Sequence, residues 1–119
     1  MGLLEELKGL GVDVDEGLNR VMGDRSLYEM TLGMFISEAD GNPISAEDFD
    51  GADLKGLTER VHKLKGITGN LSMNRLFTRY TDVLGLLRAG RPAEARAGFE
   101  QILPLQAEIV DCIKRHTAA

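Results

Sequence analysis

Apolar residues recur along this chain at spacings of three and four, and each run is bracketed by residues that start or stop helices. Leu3, Leu4 and Leu7 predict a short amphipathic helix within residues 1–10, ended by Gly9 and Gly11. Asp13 can cap a second short helix carrying Leu18 and Val21, which Gly23 terminates. Asp24 offers the cap of a longer helix in which Leu27, Tyr28, Met30, Met34 and Phe35 repeat at helical spacing, with the two methionines expected as core filler. Gly41, Asn42 and Pro43 break it. Residues 44–51 are acidic and anchored only by Ile44 and Phe49, so a loop or a single helical turn is expected there.

The second half is more regular. From Asp53 as cap, Leu54, Leu57, Val61, Leu64 and Leu71 form one stripe of a helix ending near Gly69 or Asn70. A turn near Asn70 to Ser72 leads into Met73, Leu76, Phe77, Tyr80, Val83, Leu84 and Leu87, a second stripe ended by Gly90. Pro92 suits the first turn of a last helix, where its missing N–H would lack a partner anyway. Ala95, Phe99, Ile102, Ile109 and Ile113 line the inner face of that helix, and Pro104 predicts a kink, not a stop. Strands have no support, because no run of alternating β-branched residues occurs. The pattern predicts an all-α chain: an antiparallel up-down four-helix bundle preceded by a short N-terminal helical cap, as one domain over residues 1–119.

Composition narrows the classes of function. The longest stretch without Asp, Glu, Lys or Arg is Gly66 to Asn74, well short of the roughly 18 apolar residues that cross a bilayer. Glu5, Glu6 and Lys8 among the first leucines do not make a basic-then-apolar secretory signal, and Cys112 is the single cysteine, so a reducing, cytoplasmic setting is expected. The net charge of -5 divides unevenly, with -9 over residues 1–50 and +4 over residues 51–119. An acidic chain is a poor nucleic-acid binder, since such domains usually have a pI above about 9.

The informative residues lie on the face that the helix after Asp53 leaves to solvent. At about 100° per residue, Lys55, Thr58, Glu59, His62, Lys65, Gly66 and Gly69 fall within roughly 60° of one line, with His62 at its middle. Each glycine inside a helix costs about 1 kcal/mol relative to alanine. Two on the histidine's own face predict a surface cleared for something large to approach. Imidazole in water is mostly neutral and nucleophilic at pH 7, so it can accept a phosphoryl group. Lys65, one turn on, would balance part of the charge gained.

His62-Lys63-Leu64-Lys65-Gly66-Ile67-Thr68-Gly69-Asn70-Leu71 resembles the H-x-L-K-G-x-x-G-N-L signature of histidine-containing phosphotransfer (HPt) domains. The stretch from Gly11 to Arg20, then Gly23-Asp24 and Leu27-Tyr28, is similar to that family's opening, so the resemblance covers nearly the whole chain. It implies a four-helix bundle, with His62 as phosphoryl acceptor, Lys65 as supporting cation and Gly66 as the residue that clears space for the partner. It further implies exchange of the phosphoryl group with an aspartate of response-regulator receiver domains, or of a hybrid histidine kinase, in a multistep phosphorelay. The partner supplies aspartate and divalent metal. Members often set a polar side chain of the following helix against the ring, for which Thr78, Arg79 and Asp82 are candidates. Two departures stand out: Ser72 occupies a position where many members have glycine, and residues 41–51, usually helical in the family, are not convincingly so here.

The remaining residues suggest less. Lys63, Arg75 and Arg79 are a solvated face or a positive rim around an acidic partner, and with Thr58, Glu59, Gly66 and Gly69 they complete the expected docking face. His116 joins Lys114 and Arg115 as a last-turn cation and is assigned no role. Two histidines 54 positions apart suggest no metal site, and Cys112 is expected as a small buried apolar residue. The chain has no G-x-x-x-x-G-K-[ST] loop, so ATP use, a kinase activity and a cofactor are not expected. A monomer is expected, without nucleic-acid or membrane partners. The alternative from another class is a helical adaptor or receiver-binding inhibitor that docks by the same face without transferring phosphate.

Overall fold

Each predicted cap begins a helix in the computed structural model, which describes residues 2–117. The helices are α1 (Leu3–Gly9), α2 (Val14–Arg20), α3 (Arg25–Ala39), α4 (Leu54–Asn70), α5 (Asn74–Arg88) and α6 (Pro92–Thr117), with a 3-10 turn at Ala46–Asp50. No strand occurs among the described residues, and Met1, where the first helix was expected to begin, lies outside them. The carboxylates of Asp13, Asp24 and Asp53 accept the amides of Glu16 (3.1 Å), Leu27 (3.2 Å) and Gly56 (2.9 Å), satisfying donors that have no partner inside their helices. No helix among the described residues is long and apolar enough to cross a membrane.

Four helices end alike. The amides of Val12, Gly23, Met73 and Arg91 each reach back five residues, to the carbonyls of Leu7, Leu18, Thr68 and Leu86. In these four a left-handed residue stands just before the donor. Glycine supplies it at Gly11 (φ 88°) and Gly90 (φ 74°), whereas Met22 and Ser72, both at φ 56°, adopt it at a cost of about 1 kcal/mol each.

α4 packs between α3 and α5, α5 packs on α6, and α6 also receives α1 and the 3-10 turn. Phe49 of that turn is buried against Phe99 of α6, with ring centroids 5.2 Å apart, so of the loop or single helical turn expected over residues 44–51 the structure takes the turn, with both expected anchors, Ile44 and Phe49, buried. Tyr80 of α5 donates its hydroxyl proton to the side-chain oxygen of buried Gln106 on α6. Burial raises that phenol's pKa further above its ordinary value. α6 does not stop at Pro104: the helix is continuous from Pro92 to Thr117. α1 is tied to α6 by Glu6, whose carboxylate lies 2.9 Å from Arg115 Nη2 and 2.9 Å from His116 Nε2. Arg115 first and His116 second hold the Glu6 carboxyl down at about 2.

The expectation for α3 needs correction. Its buried stripe is Tyr28, Leu32, Phe35 and Ala39, while Leu27, Met30 and Met34 are 45%, 64% and 53% exposed and fill no core. Both stripes satisfy the helical period, and α3 is covered along only one of them, so spacing alone does not choose. Met73, the first residue of the stripe expected after the turn, is buried.

Tyr28 is the side chain through which α3 grips the turn after α4: its buried hydroxyl donates to the Leu71 carbonyl at 2.9 Å. Burial, with Asp13 nearby, pushes its pKa up to about 12. Tyr28→Phe leaves that carbonyl without its donor and is expected to destabilise the fold by about 1–2 kcal/mol in urea unfolding. Met30→Ala is expected to stay within about 0.5 kcal/mol of the parent.

Candidate functional site

The burial pattern of α4 divides the helix cleanly. Leu57, Val61, Leu64, Ile67 and Thr68 are buried, whereas Lys55, Glu59, His62, Lys63 and Gly66 are exposed. His62 therefore stands opposite the core, and among the described residues no hydrogen bond or ion pair engages its ring. Thr58 lies half-buried one turn before it, with its hydroxyl donating back to the Leu54 carbonyl at 2.6 Å, so that group is occupied inside the helix. Glu59 is exposed.

On one flank the face meets α5. The Lys65 ammonium lies over the Phe77 ring, 6.0 Å from its centroid, a cation–π arrangement that holds the side chain along the helix surface one turn from His62. The two glycines, expected to do the same thing, differ. A Cβ built on Gly66 would meet nothing within 4 Å, so this position is bare to solvent. One built on Gly69 would stand 2.9 Å from Phe77 Cδ1 and Cε1, so Gly69 makes room for a neighbouring helix, not for a visitor.

On the other flank the face meets α3. Lys63 pairs with Glu38 at 2.7 Å, which fixes the seam between the two helices. Exposed Leu27, Met30 and Met34 follow the Glu38 edge of α3, so an apolar stripe borders the His62 face on that side.

Arg75 and Arg79 belong elsewhere. They line a shallow cavity of about 460 Å³ with Asn74, Thr78 and Asp82, to which α4 contributes nothing. Arg79 also donates to Gln101 of α6 at 2.7 Å. Neither Thr78, Arg79 nor Asp82 is hydrogen-bonded to His62.

Sequence reasoning passed over Arg20. This α2 residue joins Gly66, Gly69, Asn70, Asn74 and Phe77 around a cavity of about 280 Å³, placing a guanidinium on the C-terminal side of Gly66. It is held there by Ser72, whose hydroxyl accepts from Arg20 Nε at 3.3 Å and donates to Glu16 at 2.8 Å. The only sequence signal was Ser72, a polar residue where the turn favours glycine.

The arrangement offers one unengaged nucleophile, one restrained cation beside it, one bare helix position and a neighbouring apolar stripe. Gly66→Ala meets no obstacle and is expected to stabilise the fold by about 0.5–1 kcal/mol through helix propensity. Gly69→Ala forces the Phe77 ring to move and is expected to lose stability by about 1–3 kcal/mol, both read from thermal and urea unfolding. Comparison with models of known protein families, with curated proteins and with solved structures finds no match.

Proposed function

We propose that the chain is a histidine phosphocarrier of a multistep phosphorelay, built as a four-helix bundle of α3 to α6 with α1 and α2 as its N-terminal cap. The observation that carries this reading is the setting of His62: exposed, without a partner, centred on a polar face, and followed at position 66 by a glycine that nothing fills. A helix that merely needed a solvated surface would gain about 1 kcal/mol from alanine at Gly66.

In the proposed reaction an unprotonated ring nitrogen of His62 attacks the phosphorus of an aspartyl phosphate on a receiver domain. The P–N bond forms, the P–O bond to the carboxylate breaks, and the aspartate leaves with the electron pair. Transfer through a loose transition state needs alignment and charge neutralisation more than covalent assistance from the protein. The receiver contributes aspartate and divalent metal. This chain contributes a positioned imidazole, with Lys65 to offset the charge that accumulates on the ring. The stripe of Leu27, Met30 and Met34 gives the receiver apolar surface to cover beside His62. No nucleotide is consumed by this chain, and the setting is cytoplasmic.

Incubation with a phosphorylated receiver domain is expected to place acid-labile, base-stable label on the chain, and His62→Gln is expected to reduce it to background. Label retained on His62→Gln overturns the proposal. Receiver binding that survives His62→Ala, with no label from any phosphorylated donor, makes the chain an adaptor instead.

A further inference from the structure

The sequence assigns no role to His116 and treats Cys112 as core, yet the structure brings both together with Glu6 where α1 meets α6. Cys112 and His116 are four residues apart on α6, so their side chains leave the same face one turn apart. Glu6 reaches them from α1. One ring nitrogen of His116, the Cys112 sulfur and one Glu6 carboxylate oxygen all lie within 4.8 Å of one another. Cys112 is fully buried and His116 belongs to the exposed end of α6, while a cavity of about 360 Å³ lined by Glu6, Gly9, Leu10, Glu108, Asp111 and Arg115 opens beside them.

We propose that Glu6, Cys112 and His116 form a binding site for a thiophilic divalent cation of the Zn²⁺ class, which staples α1 to α6. The donor set suits that class: one thiolate, one imidazole and one carboxylate are borderline-soft ligands, and three protein ligands leave the fourth tetrahedral position to water. Bond lengths of about 2.0–2.3 Å place tetrahedral ligand atoms roughly 3.3–3.8 Å apart. The cluster therefore needs to contract from its 4.8 Å limit, while the 2.9 Å contact between Glu6 Oε1 and His116 Nε2 opens slightly to admit the ion. Thiolate and carboxylate together neutralise the ion's charge.

Arg115 is placed to remain through that exchange. Its Nη2 holds Glu6 Oε2 at 2.9 Å, the carboxylate oxygen that the cation does not need, its Nε holds Asp111 at 2.9 Å, and only the longer 3.4 Å bond from Nη1 to Oε1 is given up to the ion. A second-sphere cation on a ligating carboxylate fixes its orientation, and the acid behind it limits the repulsion. The Cys112 sulfur ligates as the thiolate, so the entering ion displaces the thiol proton. Loading then forms an S–metal bond, breaks the S–H bond, releases that proton to solvent and sheds water from the ion.

The site is independent of His62, and its test uses cobalt as a spectroscopic probe. The full chain, stripped with a chelator, is titrated with Co²⁺ and then Zn²⁺. One equivalent of Co²⁺ is expected to produce thiolate-to-cobalt charge-transfer absorption with one proton released per ion, and Zn²⁺ is expected to erase the band. His116→Gln, at an exposed helix end that tolerates substitution, is expected to weaken Co²⁺ binding at least tenfold. Cys112→Ser should abolish the charge-transfer band, and His62→Gln should leave the titration unchanged. Absence of a thiolate band at stoichiometric Co²⁺, equal affinity in His116→Gln, or loss of binding in His62→Gln overturns the proposal.

Discussion

The turn between α4 and α5 is the constraint on which the other elements depend. Three residues, Leu71 to Ser72 to Met73, reverse the chain, and every neighbouring element ties itself to them. Tyr28 of α3 donates to the Leu71 carbonyl, the Asp13 amide at the start of α2 donates to the Ser72 carbonyl at 3.0 Å, and the Ser72 hydroxyl donates to Glu16. Gly17 of α2 completes the contact, since a Cβ there would lie 2.4 Å from Tyr28 Cε1 and 3.0 Å from the Leu71 carbonyl oxygen. Ser72 sits in left-handed backbone that glycine would adopt without strain, and these contacts are what repay it. One tight reversal thereby sets the register of α4 against α5, which in turn seats Phe77 on Gly69 and under Lys65. The cation beside His62 is positioned from the far end of the helix.

What the sequence disclosed and what it hid follow from the range of each interaction. Caps are local: Asp13, Asp24 and Asp53 act within three residues, so their helix starts were legible from neighbours alone. The placement of His62 opposite the core was also legible, because on α4 only one stripe is apolar. α3 carries two stripes of equal merit, and only the position of α4 decides that Tyr28 and Phe35 go in while Met30 and Met34 stay out. The same limit applies to the glycines. Gly66 and Gly69 look alike along the chain, and the difference between them is a Phe77 ring eight residues beyond the second. Arg20 near the His62 face, and Glu6 beside Cys112 and His116, are long-range meetings that no local pattern reports. The spacing of four between Cys112 and His116 was the one trace available.

Charge behaves in the same way. Along the chain the acids gather in the first half and the cations in the second, which suggests a basic surface around His62. Folding sets the two halves against each other. Lys63 takes Glu38, Arg60 takes Asp48, Arg96 takes Asp50, Lys114 takes Asp40 and Arg115 takes Glu6, each a second-half cation on a first-half carboxylate. Exposed pairs of this kind contribute only about 0–1 kcal/mol each to stability. Their larger effect is to cancel the field that the sequence segregates. Lys63, expected as part of a positive rim, is spent on holding α3, and Arg79 is turned toward Gln101 of α6. Near Gly66, Lys65 is restrained over Phe77 with no carboxylate partner among the described residues, while Arg20 is held by Ser72 and paired with Glu16. Both are fixed in place instead of being numerous, and the adjacent surface of α3 is apolar. Under the proposed function, a receiver would therefore meet covered apolar area and one oriented, unpaired cation, a combination less sensitive to ionic strength than a diffuse basic patch.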